Sequence, residues 1–308
     1  MTAIPGPLRS MVFRNADLPA LFHHTDAVAV ARQRESVNTT RGQLVLLVLG
    51  AVPAALPWHW RVAGSVQLLD ALGVLAYAGV LIATYLSARR QAKSHWQLNR
   101  SAAEFIKSVC WRYAVHGSPF DTGTQHPEAV FANRLEEGLQ ELRKVGWVDP
   151  RERQEDSGGL ITDAMRELRA KAFTVRKETY VRDRLIDQRG WYRRRQEVSR
   201  RATFLWSTAI AVLTGLALVL GLLRTFSVTG SFALTGVLSA AAAACLAWYE
   251  MRRHHPLISA HSLVEKELEA LQVAMETTLT ERHWPVAVFE TERIVSPQHT
   301  DWLARHKM

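Results

Sequence analysis

His254, His255 and His261 lie within eight positions of one another, just ahead of the acidic string EKELE at 265–269. Imidazoles so spaced along one helical segment could meet a metal ion. Histidines beside an apolar stretch more often sit at an interface, and the acids of EKELE recur as a solvated helical face. Cys110 and Cys245 show no CxxC or Cys/His spacing and read as ordinary reduced thiols. The strings GxxxxGK[ST], GxSxG and HExxH, which anchor phosphate-loop, hydrolase and zinc-protease chemistry, do not occur. The expectation is a protein that is not an enzyme, with no catalytic, cofactor or metal residue to assign.

The densest charge is RGWYRRRQEVSRRATFLW at 189–206, six arginines in thirteen positions followed by none. Such a run can read nucleic acid or flank a membrane helix. The residues after it favour the membrane, since Ala202 to Leu223 gives 22 positions without a formal charge. Three more windows resemble it: Gly42 to Trp60, Val62 to Ala88 with Asp70 as its one charge, and Thr225 to Tyr249. A bilayer core needs roughly 20 helical residues. Spans are therefore expected at about 42–60, 67–88, 202–223 and 228–249, the first being interrupted by Pro53 and Pro57. A buried core helix would show one polar face to water, and Ser207, Thr208 and Thr214 are too few to make one in the third window. No nucleic acid is expected as a partner.

The spans pair through short turns into two helical hairpins. Trp58, His59 and Trp60 occupy the first turn, and Trp206 and Trp248 mark the other ends of the second hairpin. Each turn carries one arginine, Arg61 or Arg224, whereas residues 89–201 carry 24 Lys and Arg. Arg32, Arg34 and Arg41 precede the first span, and Arg252 and Arg253 follow the last. Basic flanks stay in the cytoplasm, so both termini and the middle are expected inside. The N-terminal stretch has no apolar core of the signal-peptide kind. Anionic headgroups are the expected neighbours of the arginine run.

Small residues recur four apart in the spans: Gly79 and Ala83, Ala211 and Gly215, and Gly236, Ala240 and Ala244. Such spacing lets helix backbones approach closely in lipid, within one chain or between copies. Asp70 is the candidate pore-mouth charge, weighed against an interfacial carboxylate facing water.

Outside the spans, HPEAVFANRLEEGLQELRKVGW predicts a helix with Pro127 in its first turn, Gly146 past its end, and Phe131, Leu135, Leu139 and Leu142 as its apolar stripe. Residues 149–163 read as a linker, with one long charged helix from there to Arg201. Leu257, His261, Val264, Leu268, Leu271 and Met275 form a coiled-coil seam, packing either on a helix of the same chain or between subunits. The plan of a hairpin followed by a cytoplasmic helix occurs twice, and aligning Arg89-Arg90 on Arg252-Arg253 sets Glu104 on Glu267.

EFIKSVCWRYAVHGSPF, with Glu104, Lys107, Trp111, Arg112 and Tyr113, and YVRDRLIDQRGWYRRRQEVSRRATFLW, with Tyr180, Arg184, Leu185, Gln188, Trp191 and Tyr192, carry a resemblance. They resemble the SLATT superfamily, two-transmembrane effector domains associated with bacterial nucleotide-sensing conflict systems, in two tandem copies over roughly 20–148 and 164–295. The resemblance implies a pore-forming or membrane-perturbing effector, triggered by a cytoplasmic partner or nucleotide signal. Its single-hairpin plan departs from the two fused copies here.

The expected architecture is an all-α membrane protein of four spans with long amphipathic cytoplasmic helices. Its domains are 1–148, a linker at 149–163, and 164–308. The expected function is an inner-membrane effector of a bacterial anti-phage or conflict system that forms homo-oligomers and permeabilises the bilayer, with a nucleotide-signal sensor or synthase as partner. A non-conducting membrane scaffold or sensor is the competing reading. Arg184 and Gln188, one turn apart before the third span, are the candidate signal-coupling residues.

Overall fold

The structure is a computed structural model that describes residues 11–56, 61–62, 66–153, 159–226, 234–252 and 254–295. Ten α-helices account for most of them: α1 (Ala20–Ala51), α2 (Leu68–Arg90), α3 (Ala92–Ala114), α4 (Pro127–Lys144), α5 (Asp163–Ala170), α6 (Phe173–Tyr180), α7 (Asp187–Thr225), α8 (Leu234–Arg252), α9 (His254–Thr277) and α10 (Trp284–Val295). A two-residue antiparallel pairing, Arg61 with Gln67 and Val62 with Val66, closes the first turn. The aromatic trio Trp58, His59 and Trp60 lies outside the described residues.

The helices divide into two compact units that do not follow the chain order. One comprises Met1–Ala31, Ser94–Arg194 and His261–Met308; the other comprises Arg32–Lys93 and Arg195–Ala260. The two expected repeats each contribute to both, so the division at 149–163 and the division into units are different partitions.

The first unit is built on a conventional core. The stripe of α4 is buried as its period predicts, with Phe131, Leu135, Leu139 and Leu142 at most 1% exposed, and Gly146 adopts φ +94° just beyond the helix end. Leu268 and Met275 of the α9 seam are buried in this same core, with Val264 and Leu271 packed against it. Of the two readings of the seam, the structure shows packing within the chain. Four aromatic rings meet edge-on in series: Phe13 to Trp111 at 4.7 Å, Trp111 to Tyr180 at 5.7 Å, and Tyr180 to Trp284 at 5.6 Å between centroids. The Trp284 indole donates to the Val115 carbonyl at 2.7 Å, so the polar edge of the ring is satisfied inside the core.

The single charged helix expected up to Arg201 is broken between α5 and α6, where Lys171 and Ala172 are extended. The break has a local cause. In a continuing helix the Arg169 carbonyl would accept from the amide four residues on; instead it lies 3.0 Å from His116 Nε2. The Arg169 guanidinium meanwhile donates to the carbonyls of Tyr113 and Phe120 at 2.6 and 3.0 Å. Between α6 and α7, Val181–Ile186 winds as a π-helix. The expected linker is anchored at its start, because the buried Asp149 carboxylate accepts from Arg143 and Arg151; residues 154–158 are outside the described part.

The second unit presents apolar side chains outward. Leu81, Phe204 and Leu205 are 72%, 70% and 66% exposed, the reverse of a soluble core. Among the described residues three helical runs are long and apolar enough to cross a membrane, within Leu68–Ala114, Phe173–Thr225 and Leu234–Thr277. The first expected span differs. Its helix ends at Ala51 and gives way to a single 3₁₀ turn at Pro53–Ala55, because proline lacks the amide that would continue the ladder. Residues 57–60 of that window and 228–233 of the fourth fall outside the described part.

Candidate functional site

The phrases that carried the family resemblance converge in the first unit on one buried charged hub. Arg184, in the π-helical segment, and Glu292, on α10, form a bidentate ion pair: Nε donates to Oε1 at 2.9 Å and Nη2 to Oε2 at 2.7 Å. Both side chains are 1% exposed. The Tyr180 hydroxyl donates to the same carboxylate at 3.0 Å. A paired fork of this kind is how a buried guanidinium is tolerated.

Glu104 and Lys107, both on α3, extend the hub. Burial pushes the Glu104 carboxyl up, but the charges of Arg100, Lys107 and Arg184 outweigh it and hold the group below its usual range. Glu104 pairs with Arg100, which also donates to Asp26 at 3.1 Å. Burial, with the charge of Arg184 second, lowers the Lys107 ammonium to about 8 against the pull of Glu104 and Glu292. Alternating charges from α3, the π-segment and α10 are thus held in one low-dielectric place. Glu267, the repeat partner of Glu104, is exposed, so the second repeat does not reproduce the hub.

The sequence marks Arg184 as a candidate but does not mark Glu292. The FETERIV string puts Glu290, Glu292 and Arg293 on one amphipathic helix, and nothing in its spacing marks one of them as buried. Gln188 is half-buried on α7, one turn beyond Arg184. Arg112 packs its guanidinium over the Phe289 ring at 4.8 Å and donates to the Ser118 carbonyl at 2.8 Å. Cys110 is buried, and burial pushes its thiol up.

In the second unit the small residues fare differently. A Cβ at Gly79 would lie 3.2 Å from Leu46, so this glycine sits at the close approach of α1 and α2. Two further glycines not singled out from spacing sit there too: a Cβ at Gly73 would meet Pro53 at 3.2 Å, and one at Gly50 the Tyr77 ring at 2.9 Å. Gly215 and Gly236 have nothing within 4 Å of a built Cβ. Ala211 is exposed, Ala83, Ala240 and Ala244 are half-buried, and among the described residues of the second hairpin the buried small ones are Ala217 and Ala242. Asp70 is exposed in the first turn of α2. Among the described residues no group of three His, Cys, Asp or Glu converges to hold a metal. The side chains of His254 and His255 lie outside the described part, and His261 packs beside the Tyr192 ring at 5.5 Å.

Two family models match. Residues 19–177 match SMODS and SLOG-associating 2TM effector domain 3, and residues 180–302 match SMODS and SLOG-associating 2TM effector domain 1. No curated protein and no solved structure matches the chain. The two matches meet just ahead of the π-segment, so Arg184 and Glu292 both fall in the second while Glu104 and Lys107 fall in the first. With three helices among the described residues apolar enough to span a bilayer, this is a membrane protein, and the chain belongs to the SLATT family, carrying two of its 2TM effector domains in tandem.

Proposed function

We propose that the chain is the membrane effector of a bacterial conflict system, which assembles into homo-oligomers and permeabilises the inner membrane on a cytoplasmic signal. Four apolar segments cross the bilayer in this reading, the first using the helical end of α1 and the residues after it, with both termini inside. The observation that carries it is the tandem pair of effector-domain matches on a chain whose apolar helices face outward. The open space at Gly215 and Gly236 supports assembly, since a face left unfilled in one chain can receive a helix of another.

The coupling element is the hub. α10 grips Arg184 through Glu292, and the chain leads directly from the π-segment into α7, whose later part is the third apolar stretch. A signal that draws α10 away releases Arg184 and frees the base of that helix. Gln188, half-buried on the same segment, is where a cytoplasmic sensor or nucleotide-synthase partner would be felt. Inducible expression of a Glu292→Gln protein, with membrane potential read by a dye, tests the reading. Depolarisation and growth arrest are expected with the variant and not with the resting protein; a polarised, growing culture with the variant inserted in the membrane would favour a non-conducting scaffold.

A further inference from the structure

Within the second unit, arginines are treated in two ways. Arg32 and Arg90 both reach the Glu35 carboxylate, at 2.8 and 3.2 Å. Arg41, Arg195 and Arg252, from α1, α7 and α8, have no carboxylate partner among the described residues. They nevertheless converge: Arg41 lies over the Trp248 ring at 5.0 Å and Arg252 over the same ring at 5.7 Å, and Arg252 feels the repulsion of both Arg195 and Arg41. Trp206 stands beside Trp248 at 6.4 Å. Two guanidiniums stacked on one indole, with the charge of Arg195 close enough to act on Arg252, repel one another, and stacking offsets only part of that.

We infer that Arg41 and Arg252, stacked on Trp248 beside Trp206, form a binding site for the phosphate headgroup of an anionic phospholipid. The surroundings favour a lipid over a free phosphate. Arg41 directly precedes the first apolar window and Arg252 closely follows the fourth. Trp206 and Trp248 are the amphipathic rings that settle at headgroup depth. Phe204, Leu205 and Leu246, on the same two helices as the tryptophans, are exposed and can lie along acyl chains. Basic clusters between membrane helices take anionic headgroups by this chemistry. The inference rests on the membrane placement of these helices and is independent of permeabilisation, since a scaffold would use the same site.

The test offers the full chain in neutral detergent either phosphatidylglycerol, phosphatidylcholine or inorganic phosphate, and counts bound molecules by native mass spectrometry. Phosphatidylglycerol should be retained in preference to phosphatidylcholine. Arg41→Gln and Arg252→Gln should each weaken its retention about fivefold, the effect of one arginine near a headgroup. Arg293→Gln, whose guanidinium is instead paired with Glu290 at 2.8 Å, should leave retention unchanged. Arg41 is exposed, so its single variant reports on the site even if the Arg252 variant folds poorly. Equal retention of the two lipids, or full retention by the Arg41→Gln protein, would overturn the proposal. Inorganic phosphate that binds alone and displaces phosphatidylglycerol would overturn it in favour of a soluble anion. Ion flux plays no part in this readout, so its outcome is separable from that of the proposed function.

Discussion

Arg184 and Glu292 stand 108 positions apart and meet as a fully buried bidentate pair, 2.9 and 2.7 Å between paired atoms. Removing one partner leaves the other charged and unpaired in the core, at a cost of about 3 to 5 kcal/mol. Replacing both by apolar residues of similar volume removes that penalty. Glu292→Ala should therefore lower the unfolding midpoint sharply, while Arg184→Met with Glu292→Leu should recover most of the loss. Denaturation followed by tryptophan fluorescence measures both. The burial also changes which variant can test signalling: Arg184→Ala should weaken the whole unit, so Gln188→Ala is the cleaner probe.

His116 makes stability fall in mild acid. Burial, then the charges of Arg169 and Arg176, lowers its imidazole from an ordinary 6.5 to about 4. Because the unfolded chain takes up the proton first, the contribution of His116 is complete above pH 6.5 and is lost as pH falls through 6.5 towards 4. Between pH 6.5 and 5.5 the carboxylates are still ionised in both states. The wild-type midpoint should drop across that window more than that of His116→Gln. Parallel curves would mean that the folded imidazole titrates normally.

Gly138 tests the packing of α4. Alanine in a helix interior is favoured over glycine by about 1 kcal/mol. Here, however, a Cβ would lie 2.0 Å from the nearly buried Phe105 ring, and overpacking costs about 1 to 3 kcal/mol. The steric cost wins, and Gly138→Ala should lower the melting temperature despite its better propensity.

How much of this was legible in the sequence depended on the range of the interaction. The α4 stripe was readable because Phe131, Leu135, Leu139 and Leu142 repeat at helical spacing between Pro127 and Gly146, all within one element. The outward apolar helices were readable because a bilayer needs an uninterrupted run. Pro53 warned of the early end of α1, which falls two residues before it. The hub was half legible: Glu104, Lys107, Tyr180 and Arg184 lay in the family-like phrases, but their counter-charge comes from α10, and no local pattern points there. The break after α5 is not legible, since the groups that take over the Arg169 carbonyl and guanidinium lie about fifty residues away. The seam of α9 could be read as a seam but not assigned to its partner until the core was seen.

The proposed topology, with both termini inside, rests on the charge contrast of 24 Lys and Arg in residues 89–201 against one in each turn. Cysteines introduced at Ser65 and Thr229 should react with an impermeant maleimide on spheroplasts, and one at Ser157 should react only after lysis. Labelling of Ser157→Cys from outside would invert or dismantle the arrangement.

The central claim is that this membrane protein conducts when α10 lets go of Arg184. Ion flux is measured from liposomes holding purified wild-type or Glu292→Gln protein, with the folded state, insertion and oligomeric state checked in the same preparation, because Gln leaves the buried Arg184 charge unpaired. Wild-type liposomes should stay tight, and those holding Glu292→Gln should leak in proportion to oligomer content. An inserted, oligomeric Glu292→Gln protein whose liposomes hold their ions as well as empty ones would contradict it.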